Sequence, residues 1–337
     1  MLSDFCERVW EDPEVYRIRL PFFNLGAGES NCFVLHDEGE WLIVDTGAPT
    51  VAACRRLLSA FAALGVDFSR CKAFMTHAHF DHVGLLDGVL PRSVPVYMSE
   101  AGFSLHMPEG ERRVHDSFLR RMMACGVSFD DACAYAVCNA EPVKLDVHAA
   151  SYRFISAGDV ISVGKHRFCV VDTAGHTPDH QVLYDAANGL LFGGDHVLFD
   201  VAPAVDAFPE SIDGLGLYLA NLHKVHSMPV AAAFLGHGDV VCEGLAERAD
   251  AIAAKKMRRC ERLFDAVERN PGMTGEALAC GVLARKDEAS WRALPALSRY
   301  YFLLDAFVCL QHLYAMGCVK RVPGDADVVW RYIACAS

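Results

Sequence analysis

Three imidazoles and one carboxylate fall within six residues of Thr76-His77-Ala78-His79-Phe80-Asp81-His82. No other stretch restricts what this chain can fold into as strongly. The apolar run Ala73-Phe74-Met75 comes just before and Gly84 just after, which reads as the end of a buried strand and the loop that leaves it. His77 and His79 are two apart, so an extended backbone puts both rings on one face. Asp81 and His82 follow where the chain must turn and can face a second point nearby. Neutral imidazole and carboxylate are good zinc ligands, and one such loop can hold two adjacent ions. The plainer alternative, a solvated His-rich surface loop, is disfavoured by further donors at suitable places downstream.

Upstream of the cluster, Val15 to Leu20 alternates around Arg17 and Arg19 as an edge strand would, and Pro21 ends it. Asn31–Leu35 and Glu40–Val44 read as a hairpin turned at Asp37-Glu38-Gly39. Its second strand runs into Asp45-Thr46-Gly47, where Asp45 is either a turn-former or an acceptor that orients a ligand histidine. Pro49 to Leu64 reads as a helix stopped by Gly65. Downstream, Val94–Met98 is a short strand. Residues 99–148 then change character: Phe118-Leu119, Met122-Met123, Val127, Ala132, Tyr135 and Ala136 recur at helical spacing. The spacing predicts two or three helices inserted between strands, their Met and aromatic stripe serving as core or as a cap over a pocket. His106, His115 and His148 in this insert are assigned no role.

The strand-then-polar-loop logic repeats. Val160–Val163 and Arg167–Val171 form a hairpin leading into Asp172-Thr173-Ala174-Gly175-His176-Thr177-Pro178-Asp179-His180. Gln181–Tyr184 and Leu190–Phe192 pair around Asn188-Gly189 and deliver Gly193-Gly194-Asp195-His196. After a helix over Tyr218–Val225, the strand Ala231–Leu235 delivers Gly236-His237-Gly238-Asp239. Four strand ends each supply a polar loop, with glycine beside the donors where backbone must approach closely.

Beyond Cys242 the pattern turns helical. Gly244–Arg269 reads as one long charged helix, Thr274 caps a short helix over Gly275–Ala284, and Leu297–Met316 carries Leu303, Phe307, Leu310 and Tyr314 on one face. Val319–Val322 and Val328–Tyr332 flank Pro323-Gly324-Asp325 as a terminal hairpin. Three helices and a hairpin form the winged-helix pattern, which predicts a catalytic domain over 1–242, with 99–148 as a helical insert, and a helical winged-helix-like domain over 243–337. Length alone predicts about two domains for 337 residues. The net charge of −12 gives no general attraction for nucleic acid or anionic membrane. Met1–Trp10 lacks the apolar core of a signal peptide, the apolar stretch Tyr300–Val319 is interrupted by Asp305, Gln311 and His312 and reads as a core helix, and the 14 cysteines are scattered with no CxxC pair. Together these predict reduced thiols in a cytoplasmic protein.

The series His77-x-His79-x-Asp81-His82, His176, Asp195, His237 resembles that of the metallo-β-lactamase superfamily over about the first 240 residues, and the insert and tail resemble its lactamase-beta-2-like branch. The resemblance implies an αββα sandwich, two mixed sheets face to face with helices outside. It implies one zinc on His77, His79 and His176, another on Asp81, His82 and His237, and Asp195 bridging both, with iron or manganese as alternative metals. The implied chemistry is attack by a metal-bridging hydroxide, with Asp81 also accepting a proton. His79, rather than a carboxylate, favours the hydrolytic over the oxygen-reducing type. Asp45 resembles the family's aspartate that orients a ligand, His180 and His196, adjacent to ligands, read as orienting or structural residues, Asp239 is placed to orient His237, and Phe80 makes the pocket wall more apolar. A small ester, thioester or lactone is the expected substrate, against a metal-dependent endoribonuclease or phosphodiesterase or a DNA-reading regulatory module. From Gly244 to Ser337 there are 14 Lys+Arg against 11 Asp+Glu, leaving 17 against 32 for the rest. A catalytic part with a net charge of −15 repels a polyanion, so no nucleic-acid or membrane partner is expected, and the tail reads as a dimerisation or pocket-covering element.

Overall fold

The structure is a computed structural model that describes residues 4–22, 28–138, 145, 150–206, 208–209, 211–324 and 329–335. His148 in the insert and Asp325 in the predicted terminal turn lie outside the described residues. The chain forms two compact units. The first comprises 1–107, 142–203 and 221–249, and the second 108–141, 204–220 and 250–337.

The first unit is built on two sheets. One has β1 (Cys6–Trp10), β2 (Glu14–Pro21), β3 (Glu29–Asp37), β4 (Glu40–Val44), β5 (Cys71–Phe74), β6 (Pro95–Met98) and β7 (Ser151–Phe154) in that spatial order. β1 to β4 are antiparallel and β4 to β7 parallel. The other has β8 (Val160–Val163), β9 (His166–Asp172), β10 (Gln181–Asp185), β11 (Leu190–Gly194) and β12 (Ala232–Leu235), ordered β12-β11-β10-β9-β8, antiparallel except between β11 and β12.

Side chains alternate across each strand, so β3 and β4 feed two cores. Phe33, Leu35, Leu42 and Val44 meet Phe168, Val170, Leu183, Phe192 and Phe234 between the sheets. Cys32, Val34 and Ile43 pack on the outer face with Ala53, Leu57, Ala60 and Phe61 of α1 (Val51–Leu64). Burial on both faces is why these strands read as unbroken apolar runs. Thr50 caps α1 by accepting from the Ala53 N–H, and Gly65 ends it in the left-handed region at φ 68°.

Two expectations change. β2 is an inner strand, because β1 pairs along its free side through Cys6↔Ile18 and Glu7↔Arg17; the polar alternation that suggested an edge comes from Arg17, which is buried in ion pairs. β7, too short and too polar to stand out in the sequence, closes the sheet beside β6. The His77 loop leaves β5 and enters a short helix, α2 (Phe80–Val83), followed by α3 (Leu86–Val89) and, after β6, α4 (Glu100–Leu105).

The second unit contains α5 (Pro108–Ala124) and α6 (Phe129–Cys138), so the insert holds three helices when α4 is included. α7 (Gly214–His226) and α8 (Leu245–Arg269) each carry residues of both units. α9 (Gly275–Leu278) is capped by Thr274 as expected and continues as a π-helical turn over Ala279–Ala284, which the sequence does not signal. α10 (Glu288–Arg292) and α11 (Ala296–Ala315) follow, with a small sheet of β13 (Met273–Thr274), β14 (Val319–Pro323) and β15 (Trp330–Ala334) ordered β13-β15-β14. Leu303, Phe307 and Leu310 of α11 are buried, whereas Tyr314 is exposed and lies under Arg321. Among the described residues no helix is long and apolar enough to cross a membrane, and the cysteines whose side chains are described are free thiols.

Candidate metal centre

The loops that follow β4, β5, β9, β11 and β12 converge at one end of the sandwich. Asp45, at the end of β4, adopts φ 60° and spends both oxygens on the next loop. Oδ1 accepts from the Thr76 N–H at 2.8 Å, and Oδ2 accepts from Thr76 Oγ1 and from His82 Nδ1, each at 2.8 Å. Asp45 thus holds the His82 ring through Nδ1. With Nδ1 donated to Asp45, His82 turns Nε2 toward Asp195 Oδ1 at 3.5 Å. His77 Nδ1 is taken by Thr76 Oγ1 at 3.0 Å, which leaves its Nε2 facing His79 Nδ1 at 3.1 Å, and His176 Nε2 lies 3.0 Å from the same His79 atom.

A second group forms beside the first. His237 donates Nδ1–H to the Glu29 carbonyl at 2.7 Å, so Nε2 points inward, 3.4 Å from Asp81 Oδ2 and 3.3 Å from Asp195 Oδ2. Asp195 Oδ2 is also 3.6 Å from His176 Nε2. Asp195 therefore touches both groups, and all seven donors expected from the sequence come together. Three donors each are close enough to share one ion in His77/His79/His176, in His77/His82/Asp195 and in Asp81/His82/His237.

Asp195 is seated by groups that the ligand pattern does not reveal. His180 donates Nδ1–H to Thr173 Oγ1 at 2.8 Å and accepts the Asp195 N–H on Nε2 at 3.0 Å. Both its nitrogens are committed, so it positions the carboxylate and offers nothing to an ion. His196 is buried with its ring against His180, and burial pushes it down to about 4. Glycine is required at two points. A Cβ on Gly194, at φ 47°, would lie 2.8 Å from His180 Nε2, and one on Gly236 would lie 2.2 Å from Asp195 Oδ1. Asp239 does not orient His237 as expected: it pairs with Arg17 at 2.7 Å, and the main-chain carbonyl of Glu29 takes that role. Arg17 Nη1 also donates to the Gly238 carbonyl, and Asn31 Nδ2 to the carbonyls of Leu235 and Gly238, so these two side chains fix the loop that carries His237. Asn31, Arg17, Thr76 and Thr173 have no sequence signal, because they act on main chain or on partners remote in the chain.

The electrostatics separate the two groups. Burial, then the neighbouring His82, holds His77 well below its ordinary value, and burial lowers His79 too, which keeps lone pairs available. Burial opposes protonation of His82 and His237, but Asp195 outweighs it, raising His82 well above the usual range and pushing His237 up to about 10. The carboxylates thus draw positive charge to this end. The donors also fit a metal. Bonds of about 2.0–2.2 Å in a tetrahedral array place ligand atoms about 3.3 Å apart, and the donor pairs measured here lie between 3.0 and 3.6 Å. His82 Nε2 and Asp195 Oδ1 are fully buried without a hydrogen bond, as ligand atoms would be. Phe80 stands edge-on to Phe22 at 5.7 Å, and Phe22 packs 5.9 Å from the His237 ring, giving an apolar wall beside the second group.

The family model for the metallo-beta-lactamase superfamily matches residues 25–237, from just before β3 to the last histidine of the site. The chain belongs to the metallo-beta-lactamase superfamily. Membership supports a hydrolase with a divalent-metal site. An uncharacterized protein of Aquifex aeolicus is 33% identical over 169 residues, 49% of this chain and 64% of that protein, so the chain spans less than two thirds of this relative's length. The probable metallo-hydrolase YqjP of Bacillus subtilis is 27% identical over 248 residues, 68% of this chain and 73% of its own. An atrochrysone carboxyl ACP thioesterase of Aspergillus fumigatus is 22% identical over 270 residues, 79% of this chain and 70% of its own. A beta-lactamase domain protein from Burkholderia ambifaria shares the fold with a TM-score of 0.81 at 23% identity, covering 99% of this chain and 96% of that one.

Proposed function

We propose that this protein is a dinuclear metal-dependent hydrolase of small esters, thioesters or lactones. His77, His79 and His176 would hold one ion, Asp81, His82 and His237 the other, and Asp195 would bridge them. The observation that carries the reading is the position of Asp195, whose carboxylate lies within 3.3 to 3.6 Å of a nitrogen from each group. Two divalent ions, most simply zinc with iron or manganese as alternatives, would supply a nucleophile from water at neutral pH and polarise the attacked carbonyl.

The chain's own residues do the rest. Asp45, through Thr76 and His82, sets which ring nitrogens face inward, and His180 with Thr173 seats Asp195. Asp81 is buried, and the nearby His237 outweighs burial to hold its carboxyl below the usual range, so it is ionised and suited to hold a cation. Phe80, packed on the buried Phe22, gives an acyl chain an apolar surface. The likeness to a thioesterase supports an acyl substrate, as does the net charge of −15 outside the C-terminal 94 residues, which disfavours a polyanion. Thr274, α11 and the β13-β15-β14 sheet support a winged-helix-like reading of the tail.

The test is turnover of a thioester and lactone panel and of single-stranded RNA, at low and moderate salt, with elemental analysis of the purified protein. Acyl hydrolysis insensitive to salt with two ions per chain is expected. RNA cleavage that weakens steeply with salt, without acyl hydrolysis, would replace this reading with a phosphodiesterase, and a chain that never holds more than one ion would remove the dinuclear assignment.

A further inference from the structure

The opposite end of the same sandwich carries a second cluster of donors that the hydrolytic site does not use. His166 begins β9, a strand of seven residues whose other end leads into the His176 loop, so the two places are about 20 Å apart at 3.3 Å per residue. The ring of His166 is buried. Its Nδ1 faces Asp185 Oδ2 at 3.3 Å. Asp185 is itself buried and anchored: Oδ1 accepts from the N–H groups of Ala187 and Asn188, and Oδ2 from Asn188 Nδ2. Asn188 Nδ2 also lies 3.3 Å from this Nδ1. With the proton on Nδ1, Asp185 accepts it and the Nε2 lone pair turns outward, the arrangement by which proteins prepare a histidine for an ion. That Nε2 faces Asp12 Oδ1 at 3.0 Å and Asp37 Oδ2 at 3.9 Å.

In that tautomer a lone pair meets two carboxylate oxygens, which is repulsive unless positive charge lies among them. Lys165 supplies some, with Nζ 2.9 Å from Asp12 and its N–H donated to Asp37. Glu40, also near, is already paired with Lys72. Three carboxylates and one ammonium leave two negative charges. A proton on His166 removes one of them; a divalent cation beside a neutral imidazole removes both. The donor atoms of Asp12, Asp37 and His166 are close enough to share one ion, with the two His166 Nε2 pairs at 3.0 and 3.9 Å on either side of the about 3.3 Å of tetrahedral ligands. Asp12 is exposed, which gives an entry path, and the Lys165 side chain is more than half exposed.

We propose that His166, Asp12 and Asp37 form a separate site for a divalent first-row cation of the zinc or manganese class, with Asp185 as the carboxylate that orients His166. One imidazole and two carboxylates suit these ions. Asp12 lies between β1 and β2, Asp37 ends β3, His166 begins β9 and Asp185 ends β10, so an ion here would tie the two sheets together at the end away from the chemistry. The site is structural rather than catalytic.

The probe is Zn²⁺. Wild type, His166→Gln, Asp12→Asn and Asp185→Asn are equilibrated with a series of free zinc concentrations and their metal content is measured, with thermal melts at each concentration. Wild type should hold one ion per chain more than His166→Gln, and its midpoint should rise with zinc in a concentration range where the variant's no longer moves. Asp185→Asn should bind that ion about 10- to 100-fold more weakly. Because the result is a difference between chains that share the hydrolytic site, it stands whether that site holds two ions, one or none. If His166→Gln folds poorly, Asp12→Asn makes the same comparison from an exposed position. Equal metal content in wild type and Asp12→Asn at every zinc concentration overturns the site, as does a ring spectrum of zinc-replete wild type in which His166 carries protons on both nitrogens.

Discussion

The two ends of the sandwich use the same residue types under different solvent conditions. At the His77 end, every donor ring and carboxylate is buried or nearly so, the outward nitrogens of His77, His82 and His237 are committed to a threonine, an aspartate and a carbonyl, and glycine makes room for the carboxylate. At the His166 end the histidine and Asp185 are buried and Asp37 is partly so, while Asp12 and Lys165 stand in solvent. Buried charge must be matched by a partner or it is costly, whereas exposed charge is screened by water and salt. The difference teaches that clustered donors do not by themselves make a reactive centre. Desolvation sharpens the first set, and solvent leaves the second fit for holding an ion but not for chemistry.

The contrast breaks most sharply at Asp195. Asp195→Ala should lower turnover on the order of 10³-fold or more and release both ions, since one carboxylate serves both groups; metal content alongside kcat decides it, and retention of two ions would mean another residue bridges. Gly236→Ala comes next. Its new Cβ would press on Asp195 Oδ1 at 2.2 Å and His82 Cε1 at 2.7 Å, and displacing catalytic groups by an ångström costs about 10²-fold; full activity would show that the β12 loop can yield. His180→Ala and Arg17→Met each remove support rather than a ligand. Their expected cost is about 10-fold in metal affinity or activity, and for Arg17→Met it should fall on the ion held by His237, while the ion on His77, His79 and His176 stays; equal loosening of both would show that the loop is not held by Arg17. The smallest effect belongs to the other end: Asp12→Asn should leave turnover of the acyl substrate unchanged, and a fall in kcat there would mean that the two ends are coupled through the sheets.

Local chemistry made much of this legible. The Glu38-Gly39 hairpin was readable because both residues take positive φ, 49° and 76°, which suits the twist of a two-residue turn. The ligand loops were readable because each follows an apolar run and is rich in donors. The inner position of β2 was not, since an arginine neutralised by Glu7 and Asp239 looks in sequence like one facing water. Nor was the role of Glu29, because a main-chain carbonyl is the same in every residue.

The sequence by itself determined the donor set, its order and the strands that deliver it, because hydrophobic period and residue chemistry are local properties. Only the tertiary structure decided which nitrogen of each ring faces inward, that Asp195 lies between both groups, and that Arg17 and Asn31 hold the last loop. Those facts depend on hydrogen bonds between residues as far as 222 positions apart, and a ring's free lone pair is fixed by whatever occupies its other side.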